Sequence, residues 1–323
     1  MLKILYAASN NKSAKIQLAR FMSAMSGKPY QIKIAAYLKS SPKNLNIDWT
    51  LDSLLNIYKP EHISLENDNF RIYYEQVKYF APDLIISDLE YFTSHIANLL
   101  DATLWQCSSS IINFALANTY DLGLFKTYSF VFNRNPVHVQ RTVNIIDNSN
   151  CNFVWSHLGD MVNPPLLKPN FQWMRPYHSV GKPYIPCRHN LVAALLQNNV
   201  KIISLMKKHS DSVIFSDFYQ ESTAHVSFKD IENVDEYSCN LYNSNTFVCE
   251  GQTSFLADAF YNRKYPIILT DFDDPECIIN SVLTEHFSLG TTLYDDSQDF
   301  VQKEVENQYN KDIEFLHEKI MEY

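Results

Sequence analysis

Between Cys249 and Gly290 the chain carries its densest run of residue types that do chemistry. An apolar run, Phe247-Val248-Cys249, leads into Glu250-Gly251-Gln252-Thr253-Ser254, and a helical pattern then runs from Ser254 to Tyr261. A helix that starts in such a turn offers free N–H groups and the positive end of its dipole, a setting that holds phosphate. Asp258 lies one helical turn beyond Ser254 and shares its face. After a further strand, Pro266 to Thr270, a loop carries a second carboxylate, Glu276, followed by Cys277 and Asn280. In the first half, Asp83-Leu84-Ile85-Ile86-Ser87-Asp88 reads as a buried strand ending in a carboxylate. Asp88 there, or Glu90 just beyond, has the chemistry of a general base, with His95 ranked third. The bland alternative for Asp88 is a cap on the helix read over Thr93 to Leu100. The loop after the first strand, Ser9-Asn10-Asn11-Lys12-Ser13, adds amides that tolerate left-handed backbone and a lysine able to meet a phosphate or a second substrate. His157, His178 and His189 read as surface or internally satisfied polar groups.

The elements that must position these groups alternate strand and helix. Leu2 to Ala8 is a continuous apolar run, as in a strand covered on both faces, and apolar residues from Ile16 to Met25 follow at helical spacing up to Gly27. Gln31 to Tyr37 completes a β-α-β unit, the opening of a parallel sheet. A helix over Phe70 to Phe80 stops at Pro82, Thr103 to Cys107 reads as a short strand, the stretch from Tyr120 to Asp147 as helical, and Asn152 to Ser156 as the last strand of this half. Pro164, Pro165, Pro169, Pro176, Pro183 and Pro186 then stiffen a connection, and the rhythm restarts with a strand over Leu191 to Leu196, a helix over Val200 to Lys208 and a strand over Ser212 to Phe218. Gln298 to Met321 reads as a charged amphipathic helix. In open parallel sheets ligands sit beyond the carboxyl ends of strands, so the residues after Ala8, Ser87, Cys249 and Thr270 are the places to look.

Composition narrows the function classes. The 323 residues carry 27 Lys+Arg and 36 Asp+Glu, a net charge of −9, which disfavours nonspecific binding to duplex nucleic acid. Only 6 glycines occur, where average usage would give about 23. Glycine-rich loops must therefore be replaced by other turn formers. The six cysteines show no C-x-x-C spacing, so neither a zinc site nor a disulfide framework is read, and a reduced cytoplasmic protein without a transmembrane segment is expected.

The order Cys249-Glu250-Gly251-Gln252-Thr253-Ser254, Asp258-Ala259, Lys264-Tyr265-Pro266, Glu276-Cys277 and Asn280 resembles the donor half of GT-B glycosyltransferases, nearest the MurG-like and archaeal-type UDP-sugar transferases. Pro82 to Asp88 is similar to a strand of their first domain. The resemblance implies an α/β fold of two Rossmann-like domains facing a central cleft. Residues 1–172 would form the acceptor side, 173–297 the nucleotide-sugar-binding domain, and 298–323 a helix packing back on the first. It implies transfer of a sugar from a nucleotide diphosphate sugar, a UDP-sugar by the nearest likeness, to an acceptor hydroxyl. No cofactor or essential metal would be needed beyond the donor itself. Gly251, Gln252, Thr253 and Ser254 would cradle the diphosphate, with Asn10, Asn11 and Lys12 contributing from the first loop. Asp258 would face the ribose, Glu276 the donor sugar hydroxyls, and Asn280 the same site. The acceptor is open among a glycan, a lipid-linked or small molecule, and modified nucleic acid. Three departures stand out. Glu250 replaces a glycine and must point away from a phosphate, Cys277 replaces a glutamine, and the first loop has no histidine. They keep two alternatives in view, a binding or scaffold protein on the same frame and a sugar-nucleotide epimerase.

Overall fold

The computed structural model describes residues 1–11, 13–57, 63–115, 136–157, 167–176, 189–209, 211–218, 221–223, 225–271 and 274–293. They form two compact units. The described residues up to Trp155, with Leu167–Met174, make the first, and Ser156, His157 and the described residues from Arg175 onward make the second.

The first unit is a seven-stranded sheet in the order β3-β2-β1-β4-β5-β6-β7. Its strands are β1 (Leu2–Ala7), β2 (Tyr30–Ala36), β3 (Trp49–Thr50), β4 (Leu84–Ser87), β5 (Thr103–Ser108), β6 (Cys151–Trp155) and β7 (Phe171–Met174). Every pairing is parallel. The helices are α1 (Ala14–Met25), α2 (Asp68–Phe80), α3 (Tyr91–Leu100), α4 (Ile112–Ala115) and α5 (Pro136–Asp147). Parallel strands need covering on both faces, which is why Ile4 to Ala7 of β1 and Leu84 to Ile86 of β4 are apolar and buried. Leu5, Ile85 and Leu104 from β1, β4 and β5 pack with Phe70, Val77 and Ile96 from α2 and α3. α2 begins at Asn67, whose side chain accepts from the Phe70 N–H, and ends at Ala81 in the left-handed region just before Pro82.

The second unit is a six-stranded parallel sheet in the order β10-β9-β8-β11-β12-β13. Its strands are β8 (Leu191–Leu195), β9 (Ser212–Ser216), β10 (Val226–Asp230), β11 (Thr246–Cys249), β12 (Pro266–Ile268) and β13 (Thr291–Thr292). Its helices are α6 (Val200–Lys207), α7 (Val234–Asn243), α8 (Thr253–Tyr261) and α9 (Pro275–His286). Leu191, Ala193 and Val248 pack with Ile202, Met206 and Ile267 in its core. Asn199 and Asn233 cap α6 and α7 through their side chains.

In both sheets the chain starts in the middle, works outward to one edge and returns to build the other side. The direction of winding reverses between β1 and β4 in the first unit and between β8 and β11 in the second. These are the positions where open α/β sheets leave a crevice beyond the carboxyl ends of their strands.

Three sequence readings are corrected. β6 is not the last strand of its half: β7 follows it, flanked by Pro169 and Pro176, and runs through the boundary read between 172 and 173. An edge strand tolerates flanking proline because one side of it makes no ladder. Glu276 is not on a loop but in the first turn of α9, where Pro275 takes the first helical position and Asp274 caps. The strand β10 and helix α7 fill a stretch in which no element was read. The helix read over Gln298 to Met321 lies outside the described residues.

Candidate functional site

At the first reversal point the chain leaves β4 through Ser87-Asp88-Leu89-Glu90. Asp88 is fully buried, its N–H donates to the Ala7 carbonyl of β1, and its Oδ2 accepts from the Ser9 hydroxyl at 2.7 Å. That hydrogen bond ties together the loops after β1 and β4. Burial pushes the Asp88 carboxyl up to about 6, against the Ser108 and Ser9 hydroxyls, which favour its charged form. Leu89 has φ 53°, in the left-handed region, and its N–H donates to Gln106 Oε1 at 3.2 Å. A leucine there stores about 1–2 kcal/mol of strain, and such strain concentrates at functional turns.

Glu90, the other candidate base, is the N-cap of α3. Its carboxylate accepts from the Phe92 N–H at 3.1 Å, the Thr93 N–H at 2.7 Å and the Tyr37 hydroxyl at 2.9 Å. Burial raises its pKa while these donors lower it. The capping role weighed for Asp88 thus belongs to Glu90, and Asp88 is left without one. His95 is half-buried beside Phe70, and burial lowers its pKa. In the loop after β1, Asn10 is exposed, while Asn11 Oδ1 accepts from the Ala14 N–H at 2.6 Å and so caps the start of α1. Lys12 lies outside the described residues.

At the second reversal point the carboxylate after the inner strand is Glu250, also fully buried. It turns toward the loop after β8, where its oxygens accept from the Leu196 N–H at 3.1 Å and Asn199 Nδ2 at 3.2 Å, with Gln252 Nε2 at 3.3 Å as a third donor. The side chain is thus held between the loop after β8 and Gln252, the N-cap residue of α8. Gly251 has φ 101°, and a Cβ there would lie 3.0 Å from the Cys277 carbonyl and 3.1 Å from Ser281 Oγ. Only glycine serves at that position, on conformation and on space.

The structure brings Gly251, Gln252, Thr253, Glu276 and Asn280 into one hydrogen-bonded cluster. The Thr253 N–H, first in α8, donates to Glu276 Oε1 at 2.9 Å. Asn280 Nδ2 donates to the Gly251 carbonyl at 3.0 Å and to Thr253 Oγ1 at 2.9 Å. Ser254 and Asp258 are buried in α8, and Cys277 is buried in α9 with its thiol pushed well up by burial. Above this turn, Gln197 from the loop after β8 donates to Asp271 Oδ2 at 2.7 Å. So many buried polar groups at one sheet end go beyond what packing alone asks for. His157, read as a surface or satisfied group, is fully buried against Phe260 and Thr284. Burial lowers its pKa to about 3, so the ring is neutral.

Sequence reasoning missed Ser9 and Ser108 as partners of Asp88, Gln106 as the brace of Leu89, and Gln197 with Asp271. Ser9 stands beside residues that were singled out, but its link to Asp88 depends on the β1–β4 register, which no local pattern reveals. Among the described residues no group of three or more His, Cys, Asp or Glu side chains is placed to hold a metal ion, and no helix is long and apolar enough to cross a membrane.

Two parallel α/β units wound in this way match known structures over most of their length. The spinosyn forosaminyltransferase SpnP covers 91% of this chain and 86% of its own at TM-score 0.58 and 12% identity. The calicheamicin glycosyltransferase CalG4 covers 91% and 85% at TM-score 0.56 and 13% identity. The spinosyn rhamnosyltransferase SpnG, solved with thymidine diphosphate, covers 91% and 87% at TM-score 0.52 and 9% identity. The fold is that of the GT-B glycosyltransferases. No protein-family profile and no curated protein sequence matches the chain. On the GT-B frame the second unit, with β8, β11 and α8, corresponds to the half whose residues carried the resemblance, and the first unit holds Asp88.

Proposed function

We propose that the chain is a nucleotide-sugar glycosyltransferase in which Asp88 is the general base. The carrying observation is Asp88 itself. It is a buried carboxylate at the reversal point of the first sheet, its Oδ2 accepting from the Ser9 hydroxyl at 2.7 Å, and the residue after it is a strained leucine. With its carboxyl pushed up to about 6, it is ionised at neutral pH yet a far better proton acceptor than an ordinary aspartate.

In the proposed step an acceptor hydroxyl gives its proton to Asp88, and its oxygen attacks the anomeric carbon of the donor. The bond from that carbon to the phosphate oxygen breaks, and the nucleoside diphosphate leaves with the electron pair. The second unit would stabilise the leaving group through the turn Gly251 to Ser254 and the start of α8. Glu276 and Asn280 border that turn, where the donor sugar hydroxyls would lie. A diphosphate donor is consistent with the thymidine diphosphate held by SpnG on the same fold. A UDP- or TDP-sugar is therefore the donor class to try first.

One observation favours a second reading, a GT-B-framed binding protein without transfer. The Thr253 N–H, the first a phosphate would use, is already taken by Glu276. Thermal unfolding of the full chain with UDP, TDP and their common sugars decides between them. A ligand at 100 times its Kd stabilises by about 2.7 kcal/mol, a shift of several degrees. A shift with donor consumption supports the transferase. Failure of every nucleotide sugar at millimolar concentration to move the transition would sink it.

A further inference from the structure

The turn that carries Asp88 is pinned on both sides of its Cα. Two peptide planes meet at that atom, and their orientations set where the Cα–Cβ bond and the carboxyl point. The plane before it is held by main chain: the Asp88 N–H donates to the Ala7 carbonyl of β1 at 2.9 Å. The plane after it is held by a side chain: the Leu89 N–H donates to Gln106 Oε1 at 3.2 Å. Gln106 lies on β5, opposite Ser87 in the β4–β5 register, and is fully buried. Ser108, two residues on and therefore on the same face of β5, favours the charged form of Asp88. One face of one strand thus acts both on the backbone after Asp88 and on its carboxyl.

Both ends of the Gln106 amide are used. Nε2 donates to Ser94 Oγ at 2.9 Å, and that hydroxyl donates to the Glu90 carbonyl at 2.6 Å. Ser87 Oγ accepts from the Glu90 N–H at 2.9 Å and lies 3.1 Å from Ser94 Oγ. The partners also fix the amide orientation: turned over, its NH2 would face the Leu89 N–H, donor against donor. Leu89 at φ 53° gives the turn a reason to leave this conformation, because a leucine is strained there. Rotation of the peptide between Asp88 and Leu89 changes ψ of the first and φ of the second together, and so relieves the strain while swinging the carboxyl. The N–H of that peptide is the group that Gln106 holds.

We infer that Gln106 is a positioning residue for Asp88: by holding the Leu89 N–H it stops the peptide between Asp88 and Leu89 from rotating and keeps the carboxyl on the Ser9 hydroxyl. Gln106 moves no proton and touches no reacting atom. Its effect on turnover rests on the reading of Asp88 as the base, whereas its hold on the carboxyl does not. A group displaced by 1 Å costs a reaction about 10²-fold, which is the scale of what the amide protects.

The test is carbon-13 NMR of the full chain labelled at its aspartate carboxyls, with the Asp88 signal identified by its loss in Asp88→Asn. Gln106→Met keeps the bulk of the side chain and removes both of its hydrogen bonds. In that variant the Asp88 signal moves and its titration midpoint rises by about half a unit or more, roughly threefold in proton affinity, because the carboxyl leaves its hydroxyl donors while staying buried. Turnover of a nucleotide sugar falls about ten- to a hundredfold, with donor affinity within about twofold of wild type. Ser94→Ala, which removes the support of the amide, moves signal and turnover in the same directions by less. Val77→Ala, a core truncation on α2 that removes no hydrogen bond of the turn, lowers stability and moves neither. The inference is overturned if the Asp88 signal and midpoint in Gln106→Met coincide with wild type, or if turnover survives in Gln106→Met while Asp88→Asn abolishes it. Should Gln106→Met fail to fold, Ser94→Ala carries the same test, and an unmoved Asp88 signal there overturns the inference. A moved signal with full turnover in both Gln106→Met and Asp88→Asn removes the base and leaves Gln106 as the holder of the carboxyl. An unmoved signal with turnover lost only in Asp88→Asn removes the role of Gln106 and leaves the base.

Discussion

The two sheets place a carboxylate at the same topological position and use it differently. Asp88 follows β4 and Glu250 follows β11, each directly after the inner strand at which the winding reverses. Each is followed by a residue in the left-handed region, Leu89 at φ 53° and Gly251 at φ 101°. Glu250 accepts from Leu196, Asn199 and Gln252, so its oxygens clasp the loops on either side of the reversal point. Asp88 Oδ2 accepts from the Ser9 hydroxyl, Ser108 and the Ser9 N–H also favour its charged form, and Oδ1 has no hydrogen-bond partner. The turn also differs, since glycine adopts the conformation freely and leucine does so under strain. On the proposed function the two carboxylates differ in task because Glu250 is clasped by Leu196, Asn199 and Gln252, while Asp88 keeps Oδ1 without a hydrogen-bond partner.

The comparison breaks most visibly at Asp88. Asp88→Asn is expected to lower turnover by about 10²–10⁴-fold, the usual worth of a general base, with donor affinity unchanged within about twofold. Glu250→Gln keeps most acceptor positions of the clasp and is expected to lower turnover less than tenfold. Steady-state kinetics on both variants checks the pair.

Next comes the left-handed residue. Gly251→Ala meets both an unfavourable φ and the Cys277 carbonyl at 3.0 Å, and should destabilise by about 2–4 kcal/mol in denaturant unfolding. Leu89→Gly relieves strain at the price of chain entropy and should fall within about 1 kcal/mol of wild type.

The third contrast is in stability against pH. The native carboxyl of Asp88 is raised from 3.8 to about 6. The native state therefore binds the proton more tightly than the unfolded chain, and charged Asp88 is a burden above pH 6. That burden lessens as pH falls from 6 toward 3.8 and is gone below it. A shift of 6 − 3.8 = 2.2 units corresponds to roughly 3 kcal/mol as an upper figure. Asp88→Asn should thus be more stable than wild type at pH 8 by up to that amount, with the advantage vanishing near pH 4. A gain in stability with a loss of activity marks a functional residue. In the same window the wild-type rate should fall about tenfold per unit as pH drops below 6, since the carboxylate is the active form.

The smallest effect is at the start of α8. Glu276→Gln removes a charge from the Thr253 N–H and should lower stability by about 1 kcal/mol. If the turn receives a diphosphate, UDP or TDP binds this variant several-fold more tightly. Weaker binding would mean that Glu276 contacts the donor rather than competing with it.

Much of this was legible along the chain. β1, β4, β8 and β11 announce themselves as continuous apolar runs because both their faces are covered. Glu250 departs from the glycine of the resembled pattern, and its carboxylate accepts from Leu196, Asn199 and Gln252. Asp274-Pro275 is a sound helix start, a capping aspartate followed by proline at the first helical position, and it puts Glu276 in the first turn of α9 and not on a loop. The link from Ser9 to Asp88 and the reach of Gln17 to Ser109 were not legible, because they depend on strand order and register between segments about 80 and 92 residues apart in sequence. Gly251 was read for its approach to phosphate, while the structure adds a steric reason, the carbonyl of Cys277.

The most direct test of the central claim is donor turnover by wild type and Asp88→Asn, with nucleotide-sugar affinity measured on the same samples. The account predicts that the variant binds donor as the wild type does and turns it over at least a hundredfold more slowly. Turnover within a few fold of wild type at equal donor affinity would contradict it.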